Sequence, residues 1–204
     1  MDNARNARLT PRKQPQQTRS NALVEAVLEA AVQVLAREGA PRFTMARVAA
    51  HAGVSVGSLY QYFPNKAAVL FRLQSDEWQR TNALLRGILE DRRRSPLERL
   101  RALVHAFLCS ECEEATMRLA LDDAAPLYRG APEAREARDA GNRIFQAFIE
   151  EALPDAPEAT RALAGDLFKT TLSQVGKHFS QSPRTPGQIA TYADALADML
   201  CAYL

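Results

Sequence analysis

Apolar residues recur at spacings of three and four along most of this chain, the repeat of an α-helix that buries one stripe. The first such run begins at Ser20 and carries Val24, Val27, Leu28, Ala31, Val32 and Leu35. Gly39 offers it a C-terminal stop, and Pro41 follows shortly after. A long helix is predicted from an Asn65 cap towards Asp91, bearing Val69, Leu70, Leu73, Leu84, Leu85, Ile88 and Leu89. Ser95-Pro96-Leu97-Glu98 reads as a capping box that opens the next helix, with Leu100, Val104, Phe107 and Leu108 on its apolar side. A shorter helix is expected over 115–130, ending at Pro126 or soon after. Another starts at Pro132, passes Ile144, Phe145, Phe148 and Ile149, and stops at Pro154. Two more follow at about 156–181 and 186–204. Period-two runs rich in β-branched residues are absent and no repeat of fixed period is found, so the predicted fold class is all-α.

The stretch between Phe43 and Phe63 is short, broken by glycine, and differs from the rest. Thr44 can cap a short helix whose Val48, Ala49 and Ala52 face inward. Gly53 can take the left-handed conformation that ends that helix and turns the chain sharply. Val54 plugs the angle, and Ser55 caps a second helix in which Val56, Leu59 and Phe63 are spaced to pack inward. That spacing leaves Gly57, Ser58, Gln61 and Tyr62 outward, with Tyr60 at the edge. Two short helices joined this way form a helix-turn-helix, whose second helix enters the major groove of DNA. The outward set suits the task. Small Gly57 and Ser58 let backbone N–H groups approach phosphates. Tyr60 and Tyr62 offer hydroxyls to phosphate and ring faces to thymine methyls, while Gln61 can pair with adenine. Lys66, in the first turn of the next helix, adds an ammonium for a further phosphate.

The run Thr44, Ala49, Ala52-Gly53-Val54-Ser55, Gly57, Leu59-Tyr60, Phe63, Lys66 resembles the signature of the TetR (tetracycline repressor-like) family of transcriptional regulators, and Gly39, Phe43 and the helix from Ser20 fit as well. The resemblance covers about residues 20–70. It implies that Thr44, Ser55, Gly57, Tyr60, Tyr62 and Lys66 contact DNA backbone or bases, and that Val56 and Ser58 occupy base-facing positions. Met45 departs from the pattern, because a hydroxyl residue is frequent there and a thioether cannot donate to phosphate; Arg47 on the same helix is a candidate to compensate.

The implied organisation is a flexible basic arm over 1–19, a three-helix DNA-binding domain over 20–66, and a larger helical domain over 67–204 that binds a ligand and dimerises. Charge agrees with it. Residues 1–66 hold nine Lys/Arg against four Asp/Glu (+5), and residues 67–204 hold seventeen against twenty (−3). A basic end suits a polyanion, although the arm itself, with Arg12, Lys13 and Arg19, reads equally as a solvated tail or a minor-groove contact. The implied activity is a ligand-responsive repressor that binds a palindromic double-stranded DNA operator as a homodimer and is released by a small, largely apolar molecule. In the last two helices, Leu163, Leu167, Leu172, Val175 and Phe179, then Ile189, Tyr192, Leu196, Leu200 and Tyr203, make stripes, with Thr171, Ala193 and Ala197 leaving room for close approach. The stripes suit an intrachain core or a four-helix dimer interface; the dimer is favoured because two reading heads must lie ~34–36 Å apart. Candidates to line a ligand pocket are Trp78, Phe107, Met117, Leu121, Tyr128, Phe145, Phe148 and Phe168, with His105, Asp122 and His178 as polar groups, although the same aromatics would serve as ordinary core.

Other chemistry finds less support. Cys109 and Cys112 form a single C-x-x-C among Glu111, Glu113 and Glu114, which neither matches a zinc site nor activates a thiol. The scattered histidines, His51 among them, suggest no metal site, and no cofactor is expected. No nucleophile–base constellation or phosphate loop points to an enzyme. With no apolar run of ~20 residues, no secretory signal pattern and only three cysteines, the chain is expected in the cytoplasm, away from membranes.

Overall fold

The computed structural model describes Leu9 and residues 18–204, apart from the side chains of Thr18, Arg19, Arg138 and Ala140. Among them are nine α-helices and no strand: α1 (Thr18–Arg42), α2 (Met45–His51), α3 (Val56–Tyr62), α4 (Lys66–Leu89), α5 (Pro96–Glu113), α6 (Ala115–Ala124), α7 (Pro132–Ala152), α8 (Glu158–Ser180) and α9 (Pro186–Cys201). A 3-10 turn, Ala125–Leu127, follows α6 where Pro126 was expected to end it. Local chemistry sets the boundaries. Asn65 Oδ1 accepts from Ala68 N–H at 2.9 Å ahead of α4. Ser95 and Glu98 exchange the two bonds of the expected capping box, a device of this kind contributing about 1 kcal/mol. The same box, formed by Thr185 and Gln188, opens α9. No helix among the described residues is long and apolar enough to cross a membrane.

The chain divides into two compact units. The first reaches Glu77 and also takes in Thr116–Ala137, so it extends past residue 66 into the first half of α4, α6 and the start of α7. Val27, Ala31, Val34 and Leu35 of α1 share its core with Val48, Leu59, Phe63, Val69, Leu70, Leu121 and Tyr128. Leu9 is buried in this core too; the rest of the arm expected over 1–19, with Arg12 and Lys13, lies outside the described residues, save Thr18 and Arg19, which open α1. A polar network also lies inside. The Tyr128 hydroxyl donates to Gln74 Oε1 (3.2 Å) and the Leu121 carbonyl (3.1 Å), Gln74 donates to Glu77 (3.0 Å), and Arg118 pairs with Glu77 (2.9 Å). It joins α4 to α6 and the turn after it.

The second unit comprises Trp78–Ala115 and Arg138–Leu204. Trp78, the single tryptophan, stands on α4 next to Glu77, where the chain passes from one unit to the other. α5 packs on α8 and α9, with Leu100, Leu103, Val104, Phe107 and Leu108 among Phe145, Phe148, Phe168, Leu172, Phe179 and Leu196. α8 and α5 approach so closely that a Cβ on Gly176 would lie 2.7 Å from Phe107 Cε1. Arg99, only 1 % exposed, sits over the Phe148 ring, donates to the Leu89 carbonyl and pairs with Glu151 at 2.5 Å.

The stripes of the last two helices divide between the two alternatives left open by their spacing. Leu172, Phe179, Ala193, Leu196, Ala197 and Leu200 belong to the intrachain core. Leu163, Leu167, Tyr192 and Tyr203 are exposed, and Met199 joins them.

Candidate nucleic-acid interface

α2 and α3 form the helix-turn-helix that the sequence predicts, and each feature has a local cause. Thr44, in extended backbone, accepts from Arg47 N–H at 3.3 Å and caps α2. α2 ends as Gly53 turns left-handed at φ 65°, with Gly53 N–H donating to the Ala50 carbonyl (3.3 Å) and Val54 N–H to Ala49 (3.0 Å). This paired bonding is the Schellman end, which a glycine allows without steric cost. Ser55 then caps α3, its Oγ accepting from Ser58 N–H at 3.0 Å and lying 2.8 Å from the Ser58 hydroxyl. Both capping hydroxyls use a lone pair for the cap.

α3 is phased differently from the expectation in two places. Val56, expected inward, is 41 % exposed, and Tyr62, expected outward, is only 8 % exposed. Both lie three residues from Leu59, so at 3.6 residues per turn they fall about 60° to either side of it. Periodicity alone does not choose between them. The core takes Tyr62 with Leu59 and Phe63, and Val56, the first residue of the helix, is left facing out. Tyr62 is thereby an interior support of α3 and not part of its outer face.

The outer face is then a single stripe of Val56, Gly57, Tyr60 and Gln61, all exposed, with Ser58 half-buried beside it. Gly57 has no steric reason to be glycine: a Cβ there would meet only Ser55 Oγ, at 3.8 Å. Its bareness leaves the backbone of the exposed stripe open to close approach from outside. Exposed Thr44 and Ser55 open the two helices, and exposed Lys66 is the first residue of α4. Hydroxyls and an ammonium around a mixed apolar and amide stripe match what DNA asks of a protein, charge and donors for phosphates and a fitted face for base edges.

Two other positions receive structural accounts. Met45 is buried in the core of the unit, so this position faces inward and offers no side chain to phosphate. Arg47 Nη1 donates to the Glu38 carboxylate and to the Arg42 carbonyl at 3.3 Å, both at the end of α1.

The residues suggested for a ligand pocket fall into both units. Leu121 and Tyr128 are buried in the first core, with Met117 packed against it. Phe107, Phe145, Phe148 and Phe168 share the second core, while Trp78 is half-buried. His105 meets Asp194 of α9 at 2.9 Å, and Asp122 and His178 are exposed. Burial pushes the Tyr128 phenol well above its ordinary pKa, with help from Asp122 and Glu77, so this hydroxyl stays a neutral donor. Burial likewise raises the Cys112 thiol, and neighbouring Cys109, Glu111 and Glu113 push the same way. The network of Gln74, Glu77, Arg118 and Tyr128 was not foreseen. Its one local signal is Gln74 and Glu77 continuing the buried α4 stripe after Leu70 and Leu73.

Comparison with known proteins agrees with this geometry. Residues 27–73 match the family model described as bacterial regulatory proteins, tetR family, and residues 95–204 match the tetracyclin repressor-like C-terminal domain. The nucleoid occlusion factor SlmA of Vibrio campbellii is 31 % identical over 123 residues, a match that spans 60 % of each chain. FadR of Bacillus subtilis, solved with stearoyl-CoA, is similar in fold with a TM-score of 0.68 at 15 % identity, over 88 % of this chain and 98 % of that one. NalD of Pseudomonas aeruginosa, a secondary repressor of the MexAB-OprM multidrug efflux pump, has a TM-score of 0.65 at 21 % identity, over 91 % of this chain and 97 % of its own. With the helix-turn-helix built as described and both family models matched in order, the chain belongs to the TetR family of DNA-binding transcriptional regulators.

Proposed function

We propose that this protein is a cytoplasmic, ligand-responsive repressor that binds a palindromic operator as a homodimer and leaves it when a small, largely apolar molecule binds the C-terminal portion. The observation that carries the reading is the α3 stripe of Val56, Gly57, Tyr60 and Gln61, framed by Thr44, Ser55 and Lys66. Gln61 reads a base edge, Val56 and the Tyr60 ring make apolar contacts, and Thr44, Ser55, Tyr60 and Lys66 bind phosphates. The dimer forms through the faces of α8 and α9 that carry exposed Leu163, Leu167, Tyr192, Met199 and Tyr203, large apolar side chains that a partner copy would cover. Phe107, Phe145, Phe148 and Phe168 supply an apolar surround for the effector. The effector acts by preferring a dimer whose reading heads no longer match successive major grooves.

The test is a titration of the purified protein against DNA from upstream of its own coding region at several salt concentrations. A steep linear fall of log K with log salt supports the reading, and a flat response overturns it. Lys66→Ala is expected to weaken binding to every sequence and to lower the slope by about 0.9, whereas Gln61→Ala relaxes preference at one base pair. An effector that binds without altering operator affinity would sink the release mechanism.

A further inference from the structure

We propose that Arg47 is a positioning residue for DNA recognition, locking α2 to the end of α1 through Glu38, and not a phosphate contact; the inference rests on the DNA-binding reading above. Arg47 is the third residue of α2 and works at both its ends. Its backbone N–H donates to the Thr44 cap. Its guanidinium donates to the Glu38 carboxylate and, at 3.3 Å, to the Arg42 carbonyl.

Those two acceptors flank the bend of α1. Gly39, at φ 73° and ψ 170°, interrupts the helix one residue after Glu38, and Arg42 closes the last turn beyond it. Carbonyls at a helix end lack intrahelical donors and carry the negative end of the helix dipole, so a guanidinium is a fitting partner there. One nitrogen of the guanidinium, Nη1, reaches a side-chain carboxylate and a backbone oxygen at once. One side chain thereby fastens both sides of a glycine bend to the first turn of α2.

The placement of α3 depends on this fastening. α2 has seven residues and buries Met45, Val48 and Ala49, and the Arg47 bonds add a polar tie to α1 beside that packing. Beyond it, the Gly53 turn is bonded through both Gly53 and Val54 N–H groups, and α3 packs on α2. A tilt of α2 on α1 is therefore passed to Val56, Tyr60 and Gln61. Reaching a phosphate through the same Nη1 would require it to surrender both acceptors.

The experiment compares operator affinity and its salt dependence for the full chain, Arg47→Met and Glu38→Gln, with helical circular dichroism and the melting midpoint confirming that each variant is folded. The positioning role predicts that both variants weaken binding by about threefold to fivefold, the reach of an exposed ion pair, and that both keep the wild-type slope of log K against log salt. A phosphate role predicts the opposite: Arg47→Met flattens the slope by about 0.9, and Glu38→Gln leaves affinity unchanged or raises it. That pattern, or no change in either variant, overturns the proposal. If Arg47→Met fails to fold, the exchange Glu38→Arg with Arg47→Glu decides: restored affinity supports positioning, and affinity below that of Glu38→Gln alone overturns it. Failure of the DNA-binding reading itself is distinguishable, because the unaltered protein would then show no salt-dependent binding.

Discussion

The two compact units are built from the same material, apolar stripes on helices, yet only one of them spells out its chemistry. In the first unit, the residues of the candidate interface also shape the backbone. Thr44 and Ser55 cap helices, Gly53 turns the chain, and Gly57 keeps backbone bare, so that each role demands one or two residue types at a fixed spacing. In the second unit, Phe107, Phe145, Phe148 and Phe168 fill a core that other large apolar residues could fill as well. Chemistry tied to backbone geometry leaves a signature, and chemistry tied to the shape of an apolar interior does not.

Five substitutions break or sharpen that contrast. Phe168→Ala removes a fully buried ring and is expected to cost about 4 kcal/mol, measured by denaturant unfolding. A cost below about 1 kcal/mol would show that the second unit is loosely filled around this ring, which is the condition for an open ligand site. Tyr62→Ala should cost about 3 kcal/mol because the ring lies inside the first unit, whereas Tyr60→Ala leaves the melting midpoint near wild type and weakens DNA binding. If the two effects are interchanged, the phase of α3 given above is wrong.

Glu151→Ala comes next, leaving the buried Arg99 guanidinium without its carboxylate. The expected loss is about 2 kcal/mol at pH 7, less than for a fully buried pair because Glu151 is itself in partial contact with water. The hydrogen bond from Arg99 holds the Glu151 carboxyl below its ordinary 4.5, with the nearby charges of Arg99 and Arg92 adding to it and burial opposing. A depressed carboxylate contributes stability above its unfolded pKa and loses it as pH falls through the folded one. Wild type and Glu151→Ala should thus differ at neutral pH and converge below pH 4.5, as read from melting midpoints across that range. The smallest effect on stability is the most telling. Gly57→Ala should stabilise the fold by up to about 1 kcal/mol, because alanine suits a helix and its Cβ has room. The same change should weaken operator binding; unchanged affinity would mean that nothing approaches this backbone closely.

Much of the fold was legible because helix ends carry side-chain signals. Asn65, Ser95, Thr44 and Ser55 all cap where the pattern placed them, and Gly53 turns as expected. The Thr185–Gln188 box has the same local spacing as Ser95–Glu98. What escaped the sequence was tertiary choice. Val56 and Tyr62 stand at equal angles from Leu59, so only the surrounding core decides which of them is buried. Arg47 pairs with Glu38 across a bend, and Arg118 with Glu77 from another helix, and no local spacing announces either partner. The exposed and buried halves of the α8 and α9 stripes were likewise inseparable until α5 was seen to occupy one side.

α4 carries one more property, an optical one. Trp78, the single indole of the chain, is the first residue of the second unit and follows directly on Glu77, the last α4 residue of the first. Excitation near the red edge of protein absorption therefore selects one emitter, seated where the chain passes from the first unit to the second. Its emission wavelength and quenching by iodide report the surroundings of that one half-buried side chain without a label.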